Sequence, residues 1–516
     1  MQPNLTIRFG ERRIDASTLE GNAARAATGF AELGLRAGDA VAVMLRNDLP
    51  YLELIVALDR LGVHLVAINW HFQLEEAGFI LRDSGAKALV VHGDLLPGIA
   101  SAVPGDMPVI VVPTPAEIVA AYRLPEAPAL VPQALASRAL AWPAWRDSFA
   151  PSAAERVPAV GSMLYTSGTT GRPKGVMRLP GTPAQHAGSL RVRAIASAAR
   201  PGMRCAVVGP LYHAGPNAAA RVALELAEEI VVLPRFDAEL LLQAIARHRI
   251  THLSLVPIML VRLLKLPEAV RVRYDVSSLE NVTHGGSPCP PEVRRAIIAW
   301  WGPIVNETYG STEAGLVTFA TAADWLARPG TAGRPFPGTS IRILDEAGRE
   351  LPPGEVGEIY VDTGDNALPF TYRHNEAQRR AIERDGYITN GDVGYLDADG
   401  YLYITDRKRD MIISGGVNIY PAEIEHALLA NPHVADCAVF GIPDPEFGEA
   451  VAVAVVAAQD AALDAAAVRD WLRERVAGYK VPRHVEFHAS LPRESMGKVF
   501  KNQLRAPHWE RVGRKI

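Results

Sequence analysis

The sequence predicts an α/β protein with more than one domain, and three observations carry that expectation. With 516 residues the chain exceeds what one hydrophobic core usually organises, so at least two domains are expected. From Ala16 to about Val111, helix-like segments such as GNAARAATGFAELG and LPYLELIVALDRLG alternate with the β-rich runs AVAVML, VHLVAIN and ALVVHG. That rhythm belongs to stacked α/β layers around a largely parallel sheet buried on both faces. Beyond about Asn306 the runs in TSIRILDEAGRELPPGEVGEIYVD are closely spaced and separated by Gly and Pro turns, which predicts antiparallel strands instead.

Taken in order, the first α/β stretch is followed between Pro113 and Val157 by an Ala- and Pro-rich segment, PEAPALVPQALASRALAWPAW, which reads as a long surface excursion. The strand-like runs CAVVG, IVVLP and HLSLVP, each trailed by a helical pattern, continue the layers to Asn306. A small β-barrel-like subdomain is expected over about 330–406. After GYLYITD a charged cluster, Asp406 to Asp410, precedes a fresh pattern: MIISGG, the helix PAEIEHALLA, the strands VADCAVFGI and AVAVAVVAA, and the helix DAAAVRDWLRERV. A boundary near Asp406 therefore divides an N-terminal domain, 1–406, from a small α+β domain, 407–516.

Hydrophobic content of 48%, charged content of 21% and a formal net charge of -4 fit a soluble globular protein and lack the basic excess of a nucleic-acid binder. The start, MQPNLTIRFGERRID, has no apolar signal core, and the longest apolar runs, such as Val451 to Ala458, are too short to span a bilayer. A cytoplasmic protein without stable membrane insertion is expected. Cys205, Cys289 and Cys437 are odd in number and not spaced as metal ligands, which argues against a disulfide framework or a zinc site.

The stretch with most chemistry is LYTSGTTGRPKGV, Leu164 to Val176. Thr166, Ser167, Thr169 and Thr170 bring hydroxyls, Gly168, Gly171 and Gly175 let the backbone approach a ligand, and Lys174 adds positive charge. Such a loop can surround a polyphosphate with donors. It is not the ordinary P-loop, in which Gly is followed directly by Lys and then Ser or Thr; here Lys174 follows Pro173.

TSGTTGRPKGV resembles the signature of the adenylate-forming enzymes, which include acyl-CoA synthetases, aryl-CoA ligases, luciferases and peptide-synthetase adenylation domains. The resemblance continues in the family order through PLYHAGP (210–216), HGGSP (284–288), ETYGSTEAG (307–315), TNGDVGYLDADGYLYITDRKRDMIISGGVNIYPAEIE (389–425) and LPRESMGKVFK (491–501). It implies two half-reactions in one site: a carboxylate attacks the α-phosphorus of Mg-ATP and releases pyrophosphate, then the thiol of coenzyme A takes the acyl group and releases AMP. Lys498 resembles the family's catalytic lysine, Thr312 the hydroxyl at the α-phosphate, and Glu313 the carboxylate that helps ligate Mg²⁺. Tyr309 looks like the face for adenine, with Gly285, Gly286 and Ser287 on its other side and Glu307 and Thr308 beside it. Asp392, helped by Arg407, is placed to grip the ribose, and His213 faces the carboxylate and adenylate. Because Lys498 and the phosphate loop lie on different domains, the resemblance also implies a mobile C-terminal domain that pivots at Arg409 and brings Ser414, Gly415 and Gly416 to the site for pantetheine. Asp406, where a glycine is common, and ESMGK, an unusual lead-in to Lys498, depart from the pattern and bear on the hinge.

The acyl pocket implied by the resemblance is lined by His213, Ala214, Gly215, Asn217, Gly310 and Leu316. The segments HAGPNAAA, GGSP and AGLV are small or apolar and hold no Lys or Arg, which disfavours dicarboxylic and amino acids. The expected substrate is an apolar monocarboxylic acid, a medium or long fatty acid or a similar alicyclic acid, with an aryl or cinnamate-type acid as the runner-up. A luciferase-like oxidase, an enzyme that loads a separate carrier protein and an inactive nucleotide-binding regulator stay open, as does a homodimer.

Overall fold

A computed structural model of the chain describes residues 1–125, 131–153, 156–166, 173–414, 417–459, 461–494 and 497–511. Among the described residues the strands form four sheets. The largest has nine strands in the order Arg334–Pro335, Gly315–Ala320, Val305–Ser311, Asn281–Gly285, His252–Leu255, Met203–Val207, Ala227–Val232, Thr6–Phe9 and Arg12–Asp15. From Val305–Ser311 to Thr6–Phe9 every pairing is parallel, and the antiparallel strands sit only at the two ends. Parallel strands need crossovers, and helices such as Ala214–Leu226, Ala238–His248 and Pro291–Trp301 supply them. The C-terminal ends of these strands therefore emerge on one edge, where open α/β sheets bind ligands.

The second sheet runs Phe370–Tyr372, Lys174–Arg178, Ser162–Thr166, His64–Ala67, Ala40–Met44, Ala88–His92, Val109–Val112 and Ala139–Ala141. One hydrophobic cluster joins the two sheets, taking in Val41, Val43 and Leu65 from the second and Cys205, Ile230 and Val232 from the first. The third sheet is antiparallel, pairing Ser340–Leu344 with Gly357–Asp362 as expected and adding Tyr387–Leu396, Leu402–Arg407 and Glu383–Arg384. The fourth begins at Ile412 and centres on the long antiparallel pair Val434–Asp444 and Gly448–Ala457, against which the helices Pro421–Leu429 and Ala465–Arg473 pack around Ile424, Leu428, Val468 and Leu472. Among the described residues, no helix is long and apolar enough to cross a membrane.

Two stretches differ from the sequence-based expectation. The segment between Pro113 and Val157 is not only a surface excursion: it adds the edge strand Ala139–Ala141 and the helix Trp142–Asp147, and Trp142 and Trp145 are buried in the main core. The indole N–H of Trp142 donates to Glu53, 3.1 Å away. Two tryptophans three residues apart form one helical face, a signal masked by the surrounding Ala and Pro. The N-terminus also carries structure ahead of Ala16, because Leu5, Ile7 and Phe9 alternate into the core while Thr6–Phe9 extends the parallel sheet.

Candidate active site

The strand Val305–Ser311 carries Glu307, Thr308, Tyr309 and Gly310 to the ligand edge, and its next residues turn back into Gly315–Ala320. That hairpin is tight. A Cβ on Gly310 would collide with the Gly315 carbonyl, and Gly315 itself has φ 77°, so both positions require glycine. The Ser311 hydroxyl accepts from the Ala314 N–H at 2.8 Å. Beneath the turn, the Arg178 guanidinium donates to the carbonyls of Thr312 (2.6 Å), Glu313 (2.9 Å) and Leu368 (2.7 Å). Burial and the neighbouring Arg193 lower the Arg178 pKa to about 10, with Glu313 opposing. Arg178 thus sets the backbone of both residues expected to face the phosphates. The Glu313 carboxylate accepts from the Tyr372 hydroxyl at 3.1 Å, and the Lys174 ammonium lies 5.6 Å from the Tyr372 ring centroid.

Thr166 and Lys174 face each other at the base of the hairpin formed by Ser162–Thr166 and Lys174–Arg178. Ser167, Gly168, Thr169, Thr170 and Gly171 lie outside the described residues, as do Gly415 and Gly416. Gly285 ends its strand against Val305–Ser311 so closely that a Cβ would come 2.5 Å from the Thr308 carbonyl oxygen, and Gly286, at φ 83°, turns the chain toward Ser287. Tyr309 donates its hydroxyl to Asp392 Oδ2 at 2.8 Å, and Arg407, the cross-strand partner of Asp392, donates Nε to Oδ1 at 3.0 Å. Each carboxylate oxygen keeps a further lone pair, so Asp392 can still accept from two adjacent hydroxyls. Glu307 points away from this group into an ion pair with the fully buried Arg294, whose guanidinium lies over Trp325; burial pushes the Glu307 carboxyl up while Arg294 opposes the shift. Thr308 reaches back toward the His284 carbonyl.

His213 occupies the N-cap position of the helix Ala214–Leu226, and its ring lies tilted against Tyr212 with centroids 4.4 Å apart. Burial, then the charge of His71, lowers its pKa to about 4, so at neutral pH it offers an uncharged imidazole. Ala214 begins the helix, and a Cβ on Gly215 would meet nothing within 4 Å, so space lies beside this first turn. Asn217 is buried and occupied: it donates to the Leu211 carbonyl at 3.0 Å and accepts from Ser162 at 3.1 Å and Arg221 at 3.0 Å. Leu316 packs against Val192, Ala196 and Phe336.

Lys498 follows Gly497, whose φ is 87° and whose added Cβ would lie 2.5 Å from Ile258 Cγ2. The loop is therefore pressed onto the helix Pro257–Leu264, which starts one residue after Val256, the nearest neighbour of Gly286. Burial, then Arg407 and Arg409, lowers the Lys498 pKa to about 8, with Glu494 and Asp410 opposing. Arg409 also opposes protonation of Lys174, and Arg407 that of Arg409. Four cations from three segments thus lie close enough to disfavour one another's charge, as suits an anion site. Ser414 pairs with Gly448 in the fourth sheet. Asp406, the departure noted at the hinge, accepts from the N–H groups of Ala422 (3.0 Å) and Arg407 (2.7 Å); it ties the end of the third sheet to the N-terminus of the helix Pro421–Leu429.

Sequence reasoning missed Arg178, Arg193 and Tyr372. Arg178 alone carried a signal, being a second cation, after Lys174, at the end of the strand KGVMR. The three lining segments hold no cation, but Arg178 lies directly behind the Thr312–Glu313 turn, and Arg193, lowered by burial, sits near both Arg178 and Arg221. The ground for disfavouring acids with a second anionic group is correspondingly narrower.

Comparison with known proteins agrees along the whole chain. Residues 2–368 match the family described as AMP-binding enzyme, and residues 423–498 its C-terminal domain. The chain is 34% identical over 512 residues to a feruloyl-CoA synthase of an Amycolatopsis species, covering 98% of this chain and 96% of that one. It is 33% identical over 514 residues to an indoleacetate–CoA ligase of Aromatoleum aromaticum, covering 98% and 95%. The crystal structure of ATP-bound MatB from Rhodopseudomonas palustris superposes with a TM-score of 0.84 at 29% identity, covering 99% of this chain and 97% of that one. The chain belongs to the AMP-binding enzyme family, the adenylate-forming superfamily, and is an enzyme of the AMP-forming acyl-CoA synthetase type.

Proposed function

We propose that this protein is an ATP-dependent acid–CoA ligase acting on an acid with an apolar body. The observation that carries the reading is the Tyr309–Asp392–Arg407 group at the ligand edge, with Lys174 beside the Tyr372–Glu313 pair and with Arg409 and Lys498 close enough to Arg407 to feel its charge. In the first half-reaction two anions must meet, so positioning and charge neutralisation dominate. The acid's carboxylate oxygen attacks the α-phosphorus, the bond to the β-phosphate breaks, and pyrophosphate leaves with acyl-AMP retained. Lys498 stabilises the charge that builds on the α-phosphate, Thr312 bonds one of its oxygens, and Asp392 holds the ribose. Neutral His213 faces the acid without adding a competing charge. Thr166, Lys174 and the loop between them hold the β- and γ-phosphates.

A Mg²⁺ ion fits the donor set. A single hard carboxylate, Glu313, oriented by Tyr372 and near Lys174, suits an ion that keeps its waters and phosphate ligands. When bound there it neutralises phosphate charge.

In the second half-reaction the thiol sulfur of coenzyme A attacks the acyl carbonyl, the carbonyl–phosphate bond breaks, AMP leaves, and the thiol proton passes to solvent. Lys498 withdraws as residues 407–516 pivot at Arg409 and the strand carrying Ser414 approaches. A cleft of about 640 Å³ beside Ser414, with Arg469, Arg473, Phe447 and Tyr479 among its walls, supports coenzyme A as acceptor, because cations and exposed rings suit its phosphates and adenine. The reading places the enzyme in the cytoplasm, where both cosubstrates are made.

The small, apolar walls at Ala214, Gly215 and Leu316 support a medium or long fatty acid or an alicyclic acid. An aryl acid is the second reading, favoured by the ring-bearing acids in the names of the two relatives above. The test is a panel of acids from acetate to long-chain, aryl and steroid-like, each with Mg-ATP, with and without coenzyme A, following pyrophosphate, AMP and product mass. Acyl-CoA formed from apolar acids is expected; pyrophosphate release unaffected by coenzyme A would move the acceptor to a carrier protein.

A further inference from the structure

We propose that His484, Glu486 and His508 form a site for a borderline transition-metal ion, of which Zn²⁺ is the type, that clamps the last described helix to its neighbouring strand. His484 and Glu486 are two apart on the strand His484–Phe487 and so share one face. His508 reaches that face from the helix Lys501–Glu510. The Nε2 atoms of His484 and His508 approach the same oxygen, Glu486 Oε1, at 2.8 and 3.0 Å, and the three candidate ligand atoms all lie within 4.8 Å of one another. Bonds of about 2.0–2.1 Å in a tetrahedral site put ligand atoms about 3.4 Å apart, so side-chain adjustments on the order of 1 Å admit an ion. The two imidazole rings meet edge to face at 5.3 Å between centroids, which keeps both nitrogens converging.

The outer contacts support the same arrangement. The second oxygen of Glu486 is approached by His488 Nε2 at 3.2 Å, the kind of contact that orients a ligating carboxylate. The helix is also held by the Trp509 N–H, which donates to the Gly441 carbonyl at 3.0 Å, by Arg505, which donates to the carbonyl of Arg409 at 3.1 Å, and by the Lys501–Glu425 ion pair at 2.8 Å. A metal at His508 would add a further anchor to the helix that directly follows the Lys498 loop. Two imidazoles and one carboxylate select Zn²⁺ and its transition-metal neighbours over Mg²⁺, which prefers oxygen ligands, so the site is chemically distinct from that at Glu313.

The test uses the full-length protein, stripped with a chelator, returned to buffer containing excess Mg²⁺, and titrated with Zn²⁺ alone while bound metal and melting temperature are recorded. One Zn²⁺ per chain and a raised melting temperature are expected for the wild type, with both lost in His508→Ala. Glu486→Gln keeps the side-chain shape and guards against a loosened helix; it should melt like the metal-free wild type and fail to respond to Zn²⁺. His488→Ala should weaken binding about 10–100-fold, and His433→Ala, on a different turn, should change nothing. No stoichiometric Zn²⁺ uptake by the wild type, or equal affinity in wild type and His508→Ala, would overturn the proposal.

Discussion

The Thr312–Glu313 turn and the Lys498 loop are expected to meet the same phosphate, yet they are held in opposite ways. The turn is built in advance: Gly310 is packed against Gly315, Ser311 closes the hairpin, and Arg178 binds three carbonyls beneath it. The Lys498 loop closes on itself, the Glu494 N–H donating to the Lys498 carbonyl at 2.9 Å and Arg493 pairing with Asp436. Against the phosphate side it only rests on Ile258, and Arg407 and Arg409 disfavour the Lys498 charge. The difference suits the division of labour proposed above. A group that must position substrate in both half-reactions gains from rigidity, whereas one that must leave between them is better held by charge that the substrate supplies.

Replacing the loop's charge should have the largest effect. Lys498→Ala is expected to slow adenylation about 10²–10³-fold, the cost of one transition-state donor, while leaving transfer from supplied acyl-AMP to coenzyme A nearly intact. Pyrophosphate release and thioester formation, measured separately, check this; equal losses in both steps would erase the distinction between the two regions. Next, Arg178→Met leaves the turn's carbonyls unpaired and lets Thr312 and Glu313 shift, for which a loss of about 10²-fold in kcat is expected. Both half-reactions should suffer, in contrast to Lys498→Ala, and a variant with full activity would show that the turn needs no clamp.

The pH profile sharpens the comparison on the loop side. With the Lys498 pKa lowered to about 8, the ammonium is intact below that pH and lost above it. The adenylation kcat/KM should therefore fall about tenfold per pH unit above about 8, while the limb in kcat moves upward because bound polyphosphate favours the charged form. His213, lowered to about 4, should contribute no limb near neutrality. The smallest effect is expected from Asp392→Asn, which weakens the ribose contact and raises the KM for ATP about tenfold, roughly 1.4 kcal/mol, with little change in the KM for the acid.

Much of this organisation was legible in the chain. The period of the apolar runs announced parallel layers up to Asn306, and the antiparallel pairing of Ser340–Leu344 with Gly357–Asp362 followed from Gly and Pro spacing. What failed locally did so for physical reasons. Trp142 and Trp145 stand in a segment whose Ala and Pro content looks like surface, and Leu5, Ile7 and Phe9 alternate over too short a span to outweigh Arg8 between them and the charges of Glu11, Arg12 and Arg13 just after.

For the site, the motifs name groups that act through their own chemistry: hydroxyls, glycines, Asp392, Lys498. They are silent on groups that act through another residue's backbone. Arg178 and Thr312 are 134 positions apart, and no local pattern in either segment specifies that they touch. The influence of Arg407 and Arg409 on Lys498, the ion pair that draws Glu307 toward Arg294, and the meeting of His508 with His484 and Glu486 are likewise relations across separate elements. Sequence by itself determined the family and the layered fold and nominated the reacting groups, because these rest on composition and spacing within short stretches. Only the tertiary structure decided which charges face one another and which backbone is held still, because both depend on distances that packing, not spacing along the chain, sets.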